Sequence, residues 1–169
     1  GKSSVPRYLS VEEIAEFLGY FVSEGHVRNR EKGGELLLTR KPDDEIKTKM
    51  EKSITHGLQM KTDKRDNGVF INSRLPYYLV KYIFRCGTST RQKCIPSVIF
   101  SASKEAKWKF LEAYCEGDGY KGDHRTVFTT ISRKLATGLN FLLRQLGVQK
   151  ISIRKDKRDK ENHRDIYRI

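Results

Sequence analysis

Two acids, Glu24 and Asp118, each followed directly by a glycine, are the residues of this chain best placed to do chemistry. They close two segments of matching character, FLGYFVSEG and LEAYCEGDG, ending at Gly25 and Gly119. Laid over each other, the segments align Gly19 with Ala113, Ser23 with Gly117 and Glu24 with Asp118. The copies stand 118 − 24 = 94 residues apart in a chain of 169, which predicts an internal duplication. Gly19 and Ser23 are one helical turn apart, as are Ala113 and Gly117, so each helix shows a strip of small residues on one face. Such strips let two helix backbones approach closely. If the strips face each other, the two acids meet at the helix ends. That meeting is costly, because the carboxylates repel and the negative ends of both helix dipoles add to the repulsion. A divalent cation relieves every one of these costs, so the pattern predicts Mg²⁺ bound by carboxylates, water and a substrate phosphate.

Composition points to the same kind of substrate. Lys and Arg outnumber Asp and Glu by 34 to 21, for a net charge of +13, and the pI is near 9.7. Such an excess steers toward polyanions, nucleic acid first among them. The odd set Cys86, Cys94 and Cys115, with no C-x-x-C pair, fits a reducing compartment and argues against a disulfide framework or a zinc site. His26, His56, His124 and His163 have no metal-ligand spacing. No run approaches the roughly 20 apolar residues of a membrane span, and GKSSVPRYLS lacks the apolar core of a signal peptide. The expectation is an intracellular protein without a membrane role.

The elements that must position the acids can be read from periodicity. Ser10 with Glu13 three residues on is a capping-box pattern, and Ile14, Phe17, Leu18, Phe21 and Val22 follow helical spacing up to a C-cap at Gly25. Strand-like runs follow at His26–Arg30 and Glu35–Arg40, hinged at Gly33-Gly34. Pro42-Asp43-Asp44 opens a helix to about His56. Strands Leu58–Lys64 and Val69–Asn72 flank the turn Asp66-Asn67-Gly68, and a third helix runs from Leu75 to about Phe84. This reads α-β-β-α-β-β-α. After a connector over Arg85–Ser101 the order restarts: helix Ser103–Gly119, strands Tyr120–Asp123 and Arg125–Ile131, helix Ser132–Leu146 closed by Gly147, strands Val148–Arg154 and His163–Ile169. The predicted division is an N-terminal half over 1–88, a linker over 89–102 and a C-terminal half over 103–169.

In Gln149–Arg154, Ile151 and Ile153 alternate with Lys150, Ser152 and Arg154; Leu58 and Met60 alternate likewise with Gln59 and Lys61. The pattern predicts antiparallel sheets with one apolar face on helices and one basic face outward. On such a face Arg28, Arg30, Lys61, Arg125, Lys150, Arg154, Lys155 and Arg158 are the candidate contacts to DNA phosphates.

Both acid-Gly segments resemble the LAGLIDADG motif of homing endonucleases, in the dodecapeptide form of archaeal inteins. Lys93-Cys94-Ile95-Pro96 resembles the family's Lys-x-Ile-Pro block, and Ser132-Arg133-Lys134-Leu135-Ala136 with Leu142–Val148 resembles the block after the second motif. The resemblance implies an α+β fold of two pseudo-symmetric αββαββα halves, with paired motif helices at the centre and two sheets forming a DNA-binding saddle. It implies Glu24 and Asp118 as catalytic metal ligands, completed by the backbone carbonyls of Ser23 and Gly117, with Lys93 near the scissile phosphate. The implied activity is Mg²⁺-dependent, site-specific hydrolysis of a long double-stranded DNA target, leaving 3′ overhangs, by a monomer. A cytoplasmic archaeal or an organellar setting is implied with it. Glu at the first acid departs from the family's usual form. A rival from another class is a non-cutting relative, an RNA-splicing maturase or DNA-binding regulator; a basic ribonucleoprotein component is a second. No splicing residues are seen at either end of the sequence, so an intein's endonuclease portion and a free-standing enzyme both remain open.

Overall fold

The computed structural model describes residues 8–31, 33–39, 45–156 and 165–169. At its centre lie two helices, α1 (Val11–Glu24) and α5 (Lys104–Asp118). Helix α1 is apolar nearly all round, burying Ile14, Ala15, Phe17, Leu18, Tyr20, Phe21 and Val22. A helix buried on every side belongs in the middle of a fold and not on its surface. Each of its large side chains contributes about 1.5–3 kcal/mol on removal from water.

Two four-stranded antiparallel sheets flank this pair. The first holds β1 (Gly25–Arg30), β2 (Gly33–Thr39), β3 (Asp63–Arg65) and β4 (Gly68–Ile71), in the order β1-β2-β4-β3. The second holds β5 (Gly119–Lys121), β6 (Thr126–Thr130), β7 (Arg154–Asp156) and β8 (Ile166–Arg168), in the order β5-β6-β8-β7. The orders are the same, strand for strand. Helices α2 (Glu45–Gly57) and α6 (Arg133–Gln145) fall at matching places between the second and third strands of each half. The duplication expected from the two acid-Gly segments is borne out in the topology.

After β4 the first half closes with α3 (Leu75–Tyr78), which passes directly into a π-helical turn over Leu79–Ile83. The segment expected to be a plain connector is well built. It contains α4 (Ser97–Phe100), and Gly87 takes a left-handed φ of +79° there.

Several local expectations need correcting. Ser10 stands at the N-cap of α1, yet its hydroxyl donates to Glu12 Oε2 at 3.0 Å and caps no backbone N–H. Ser103 and Ser132 do cap, accepting from the amides of Ala106 and Leu135, each at 3.2 Å. Gly25 and Gly119 are not left-handed caps. Their φ values are −82° and −116°, and each helix runs straight into a strand. Gly33 and Gly34 pair inside β2 instead of forming a hinge.

The two alternating runs are mostly not strands. Leu58 and Met60 are both buried in a segment that leaves α2 through a left-handed Gln59 (φ 51°), and pairing starts only at Asp63. Residues 148–153 likewise wrap from α6 toward β7 without pairing, so Lys61 and Lys150 sit in loops. In the first run the reason is that a loop crossing a core buries alternate apolar residues as a strand does, and period alone does not tell them apart; in the second, Ile151 packs against the core but the expected inward Ile153 is 48% exposed.

Candidate active site

The small-residue strips do face each other. A Cβ added to Gly19 would lie 2.4 Å from Phe110 O and 2.8 Å from Ala113 Cβ. One added to Gly117 would lie 2.1 Å from Ser23 Oγ and 3.1 Å from Glu24 Cγ. The helices therefore touch backbone to backbone, Gly19 on Ala113 and Ser23 on Gly117, in the register that the duplication set. Glu24 and Asp118 are the last residues of the two helices, and the stem of Glu24 lies against Gly117, next to Asp118. The glycine after each acid is a matter of space. At Gly25 a Cβ would meet Phe21 Cδ2 at 2.3 Å, and at Gly119 it would meet Cys115 Sγ at 2.6 Å.

Hard oxygen donors at two converging negative helix ends suit a divalent cation of the Mg, Mn or Ca type. Among the described residues no group of three or more His, Cys, Asp or Glu side chains converges as a metal site. Two carboxylates leave most of a coordination sphere to backbone carbonyls, water and substrate oxygens. That donor set fits a cation shared with a phosphate and does not fit a closed structural site.

Lys93 lies beneath the end of α1. It is only 4% exposed. Its Nζ donates to Phe21 O and, at 2.9 Å, to Gly25 O, and stands 3.5 Å from the centroid of the Phe21 ring. Burial pushes its pKa down to about 7, opposed by the nearby Cys86, Asp118, Cys94 and Glu24, which favour the ammonium. Cys86, beside it, is pushed up to about 12 by the same burial and stays a thiol. His26, two residues past Glu24, is also lowered, by burial first and then by Lys93 and Arg28.

Near the end of α5 stands a different arrangement, which sequence reasoning missed. Glu116 Oε2 accepts from the Tyr20 hydroxyl of α1, and Oε1 accepts from Lys49 Nζ of α2 at 2.5 Å. Glu116 thus ties α5 to two helices of the other half. The signal was present in the alignment of the copies, where Glu116 faces Val22: a charge where its copy is apolar needs a partner. Tyr114, the copy of Tyr20, has an equally buried ring but donates to Thr129 O at 2.7 Å. Glu16 nearby is raised by burial and then by Glu116.

The sheet faces turned away from the helices follow from register. In the first sheet Val27, Leu36, Leu38, Val69 and Ile71 point to the core. Strand alternation therefore puts His26, Arg28, Glu35, Leu37, Phe70 and Arg65 on the open face. Arg28 Nη1 lies 3.9 Å from Glu35 Oε1, and Arg65 stacks on Phe70 with 4.3 Å from Cζ to the ring centroid. Arg30 pairs with Gly33 in register, and Arg158 lies outside the described residues.

In the second sheet Phe128 and Thr130 face inward, so Tyr120, Thr129, Arg154 and Arg168 share the open face. Arg154 and Arg168 stand directly opposite each other, and Arg168 is ion-paired with Asp156 two residues along β7. Lys155 pairs with Tyr167 on the other face and bridges to Asp165 at 2.6 Å. Arg125 is exposed in the turn between β5 and β6.

Residues 105–169 match the family model described as a LAGLIDADG-like domain. With the paired acid-bearing helices and the two equivalent sheets, this bears out the resemblance seen in the sequence: the chain has the fold of the LAGLIDADG homing endonucleases. Within that class it is similar to the homing endonuclease I-DmoI, whose crystal structure in complex with DNA and Mn matches with a TM-score of 0.64. That match has 14% identity and covers 94% of this chain and 90% of the other. By sequence, 146 residues are 36% identical to DNA polymerase of Thermococcus aggregans, covering 84% of this chain and 8% of that protein. Replication factor C small subunit of Methanocaldococcus jannaschii is 28% identical over 180 residues, covering 99% of this chain and 9% of that protein. The chain thus spans less than a tenth of the length of these relatives. No helix among the described residues is long and apolar enough to cross a membrane.

Proposed function

We propose that this chain is a site-specific endonuclease that hydrolyses both strands of a long double-stranded DNA target with a divalent cation, Mg²⁺ in the cell, and leaves 3′ overhangs. The observation that carries this reading is the backbone contact of α1 and α5, which ends in Glu24 beside Gly117 and Asp118. Two carboxylates are held together at the negative ends of two helices. A divalent cation held by both carboxylates would relieve their repulsion and the charge of the two helix ends.

Glu24 and Asp118 are the catalytic acids in this reading, and the carbonyls of Ser23 and Gly117 complete the protein's share of the ligands. Held there, a divalent cation would supply Lewis-acid activation of water and charge neutralisation at the phosphate and the leaving 3′ oxygen. Lys93 supports the Glu24 side of the site from beneath, its Nζ donating to the carbonyls of Phe21 and Gly25. In this reading Arg28 and Arg154 on the open sheet faces contact the DNA backbone, with Arg125 in a turn, Lys61 and Lys150 in loops, and Arg30 as a further contact. Arg158 is a further phosphate contact in this reading, whereas Lys155 turns to the other face and pairs with Asp165. The halves 1–88 and 103–169, joined through 89–102, act as one monomer on a target that need not be palindromic. Solved complexes of the structural neighbour with DNA and Mn, with DNA and Ca, and with its target DNA in the presence of Mg support a divalent cation.

Relatives with unrelated names share one segment of this length. That is the distribution expected of an inserted element, and it nominates the substrate: polymerase coding sequence joined across the point where the matching segment is removed. Incubating the protein with such DNA and Mg²⁺ should give one double-strand break at the junction. Tight binding with no cutting, in Mg²⁺ and in Mn²⁺ alike, would establish a non-cleaving binder instead.

A further inference from the structure

We propose that Arg65 reads a guanine base of the target, held for that task by Asp63 and Phe70, so that one base pair of one half-site is recognised through this guanidinium. It rests on the DNA-binding part of the reading above and adds a base contact where that reading has only phosphate contacts.

Three observations carry it. The first is how the guanidinium is held. Asp63 and Arg65 are two residues apart on β3, so both side chains stand on the open face of the first sheet. Nε and Nη2 of Arg65 donate to Asp63 Oδ2 at 2.8 and 2.6 Å. Phe70, directly opposite Asp63, is only 5% exposed and lies 4.3 Å from Arg65 Cζ at its ring centroid. One edge and one face of the group are thereby taken. The fork of Nη1 and the outer N–H of Nη2 has no partner among the described residues. Two donors at that spacing match O6 and N7 of guanine, a pair of acceptors that no other base presents in the major groove.

The second is the space beside it. Gly68 stands directly opposite Arg65 in register, with φ +149°, and a Cβ there would lie 2.1 Å from Leu38 O. No side chain fits next to the guanidinium on that strand, so a base edge can approach it along the sheet.

The third is the contrast with the second sheet. Across the first sheet one row reads Thr39, Gly68, Arg65; the matching row of the second reads Thr129, Arg168, Arg154. Arg154 thus holds the place of Arg65, but Asp156 pairs with Arg168 and no carboxylate or ring among the described residues holds Arg154. An exposed pair such as Asp63 with Arg65 contributes little stability. What it does is fix the direction of the guanidinium and cancel its charge, which serves a base edge and wastes a phosphate contact.

The test is selection of bound duplexes from a random library in Ca²⁺ by wild type, Arg65→Ala, Arg65→Lys, Asp63→Ala and Arg154→Ala. Affinities for the preferred duplex and its single-base variants are then measured at several salt concentrations. Wild type should favour guanine at one position of one half-site by about 5–150-fold. Arg65→Ala should abolish that preference, leave the other positions as they were, and keep the salt slope near that of wild type. Arg65→Lys, which keeps the charge and the cover over Phe70, should lose the preference too, because an ammonium has no fork; it decides the matter if Arg65→Ala does not fold. Asp63→Ala should weaken the preference and tighten binding to unselected DNA, since the freed guanidinium can turn to a phosphate. Arg154→Ala should weaken every sequence alike and lower the salt slope by about one. Arg65→Ala that keeps every base preference, or that behaves as Arg154→Ala does, would overturn the proposal. Wild type that selects such a guanine and cuts nothing in Mg²⁺ would refute the endonuclease reading and leave this inference standing. Wild type that cuts its site, with no base preference lost in Arg65→Ala, would refute only this inference.

Discussion

The ends of α1 and α5 are built to one plan and finished in two ways. Both end in an acid, pass into a strand through a glycine that has no room for a side chain, and meet through small residues. Beneath Glu24 a buried lysine sits on the helix carbonyls. Beside Asp118 a glutamate reaches across to Tyr20 and Lys49. The shared part is what two carboxylates need in order to be brought together. The unshared part is how each is kept still, and it can drift between the copies as long as each acid stays in place.

The comparison can be broken most severely at the shared contact. Gly19→Val puts a branched side chain where even a Cβ lies 2.4 Å from the Phe110 carbonyl. The helices must separate, and denaturant unfolding should show a loss of about 3 kcal/mol, at the upper end of overpacking costs. A loss below about 0.5 kcal/mol, the ordinary size of a surface change, would mean that the helices can part without penalty.

The unshared supports should cost less. Glu116→Val makes the second copy like the first and removes the carboxylate that accepts from Tyr20 and Lys49, at about 1–3 kcal/mol. The matching change at the other tyrosine, Tyr114→Phe, removes the hydroxyl that donates to Thr129 O and should cost about 1 kcal/mol, the net worth of one hydrogen bond, in the same unfolding assay.

Lys93 gives a pH signature. Its pKa falls from an ordinary value near 10.5 to about 7 on folding, burial being the main cause. Between those values the unfolded chain holds the proton and the folded chain does not. Stability should therefore rise with pH across that window, by up to about 1.4 kcal/mol per unit, and the gain should be gone below about pH 7. Lys93→Met should remove that slope, measured as the difference between wild type and variant unfolding at a series of pH values. A difference flat in pH would mean that the lysine keeps its charge in the fold.

The smallest expected effects lie on the second sheet. Arg154→Ala should reduce the dependence of DNA affinity on log salt by about one unit. Lys155→Ala, whose side chain register turns to the other face and toward Asp165, should change it much less. Equal slopes for the two variants would put the DNA on a different surface.

Much of this was legible in the sequence, for reasons that differ by residue. Gly19, Ser23, Ala113 and Gly117 could be read because close helix contact restricts size at fixed spacing, and a duplication shows the restriction twice. The sheets could be counted from their turns and their alternation. The extents of their third strands could not: Leu58 and Met60 are packed by a loop that crosses the core, and burial imposes on them the period of a strand, while the alternation at Ile151 and Ile153 buries only the first in part. Nor could the partners of Glu116 and Ser132 be read, since each lies on a different element far along the chain, and a hydrogen bond leaves no periodic trace. The ammonium of Lys93 could be placed near the acids by resemblance, but its burial depends on the turn at Gly87 and on the hydrogen bond from Ser132 Oγ to the Lys93 carbonyl, which only the fold reveals.

The pairing of the two acids is tested most directly by strand-resolved cleavage with Glu24→Gln and Asp118→Asn. Each variant should bind target DNA in Ca²⁺ as wild type does and should lose mainly one strand's cut, the two variants losing opposite strands. Cleavage of both strands at the wild-type rate by either variant would contradict the assignment of these carboxylates to the chemistry.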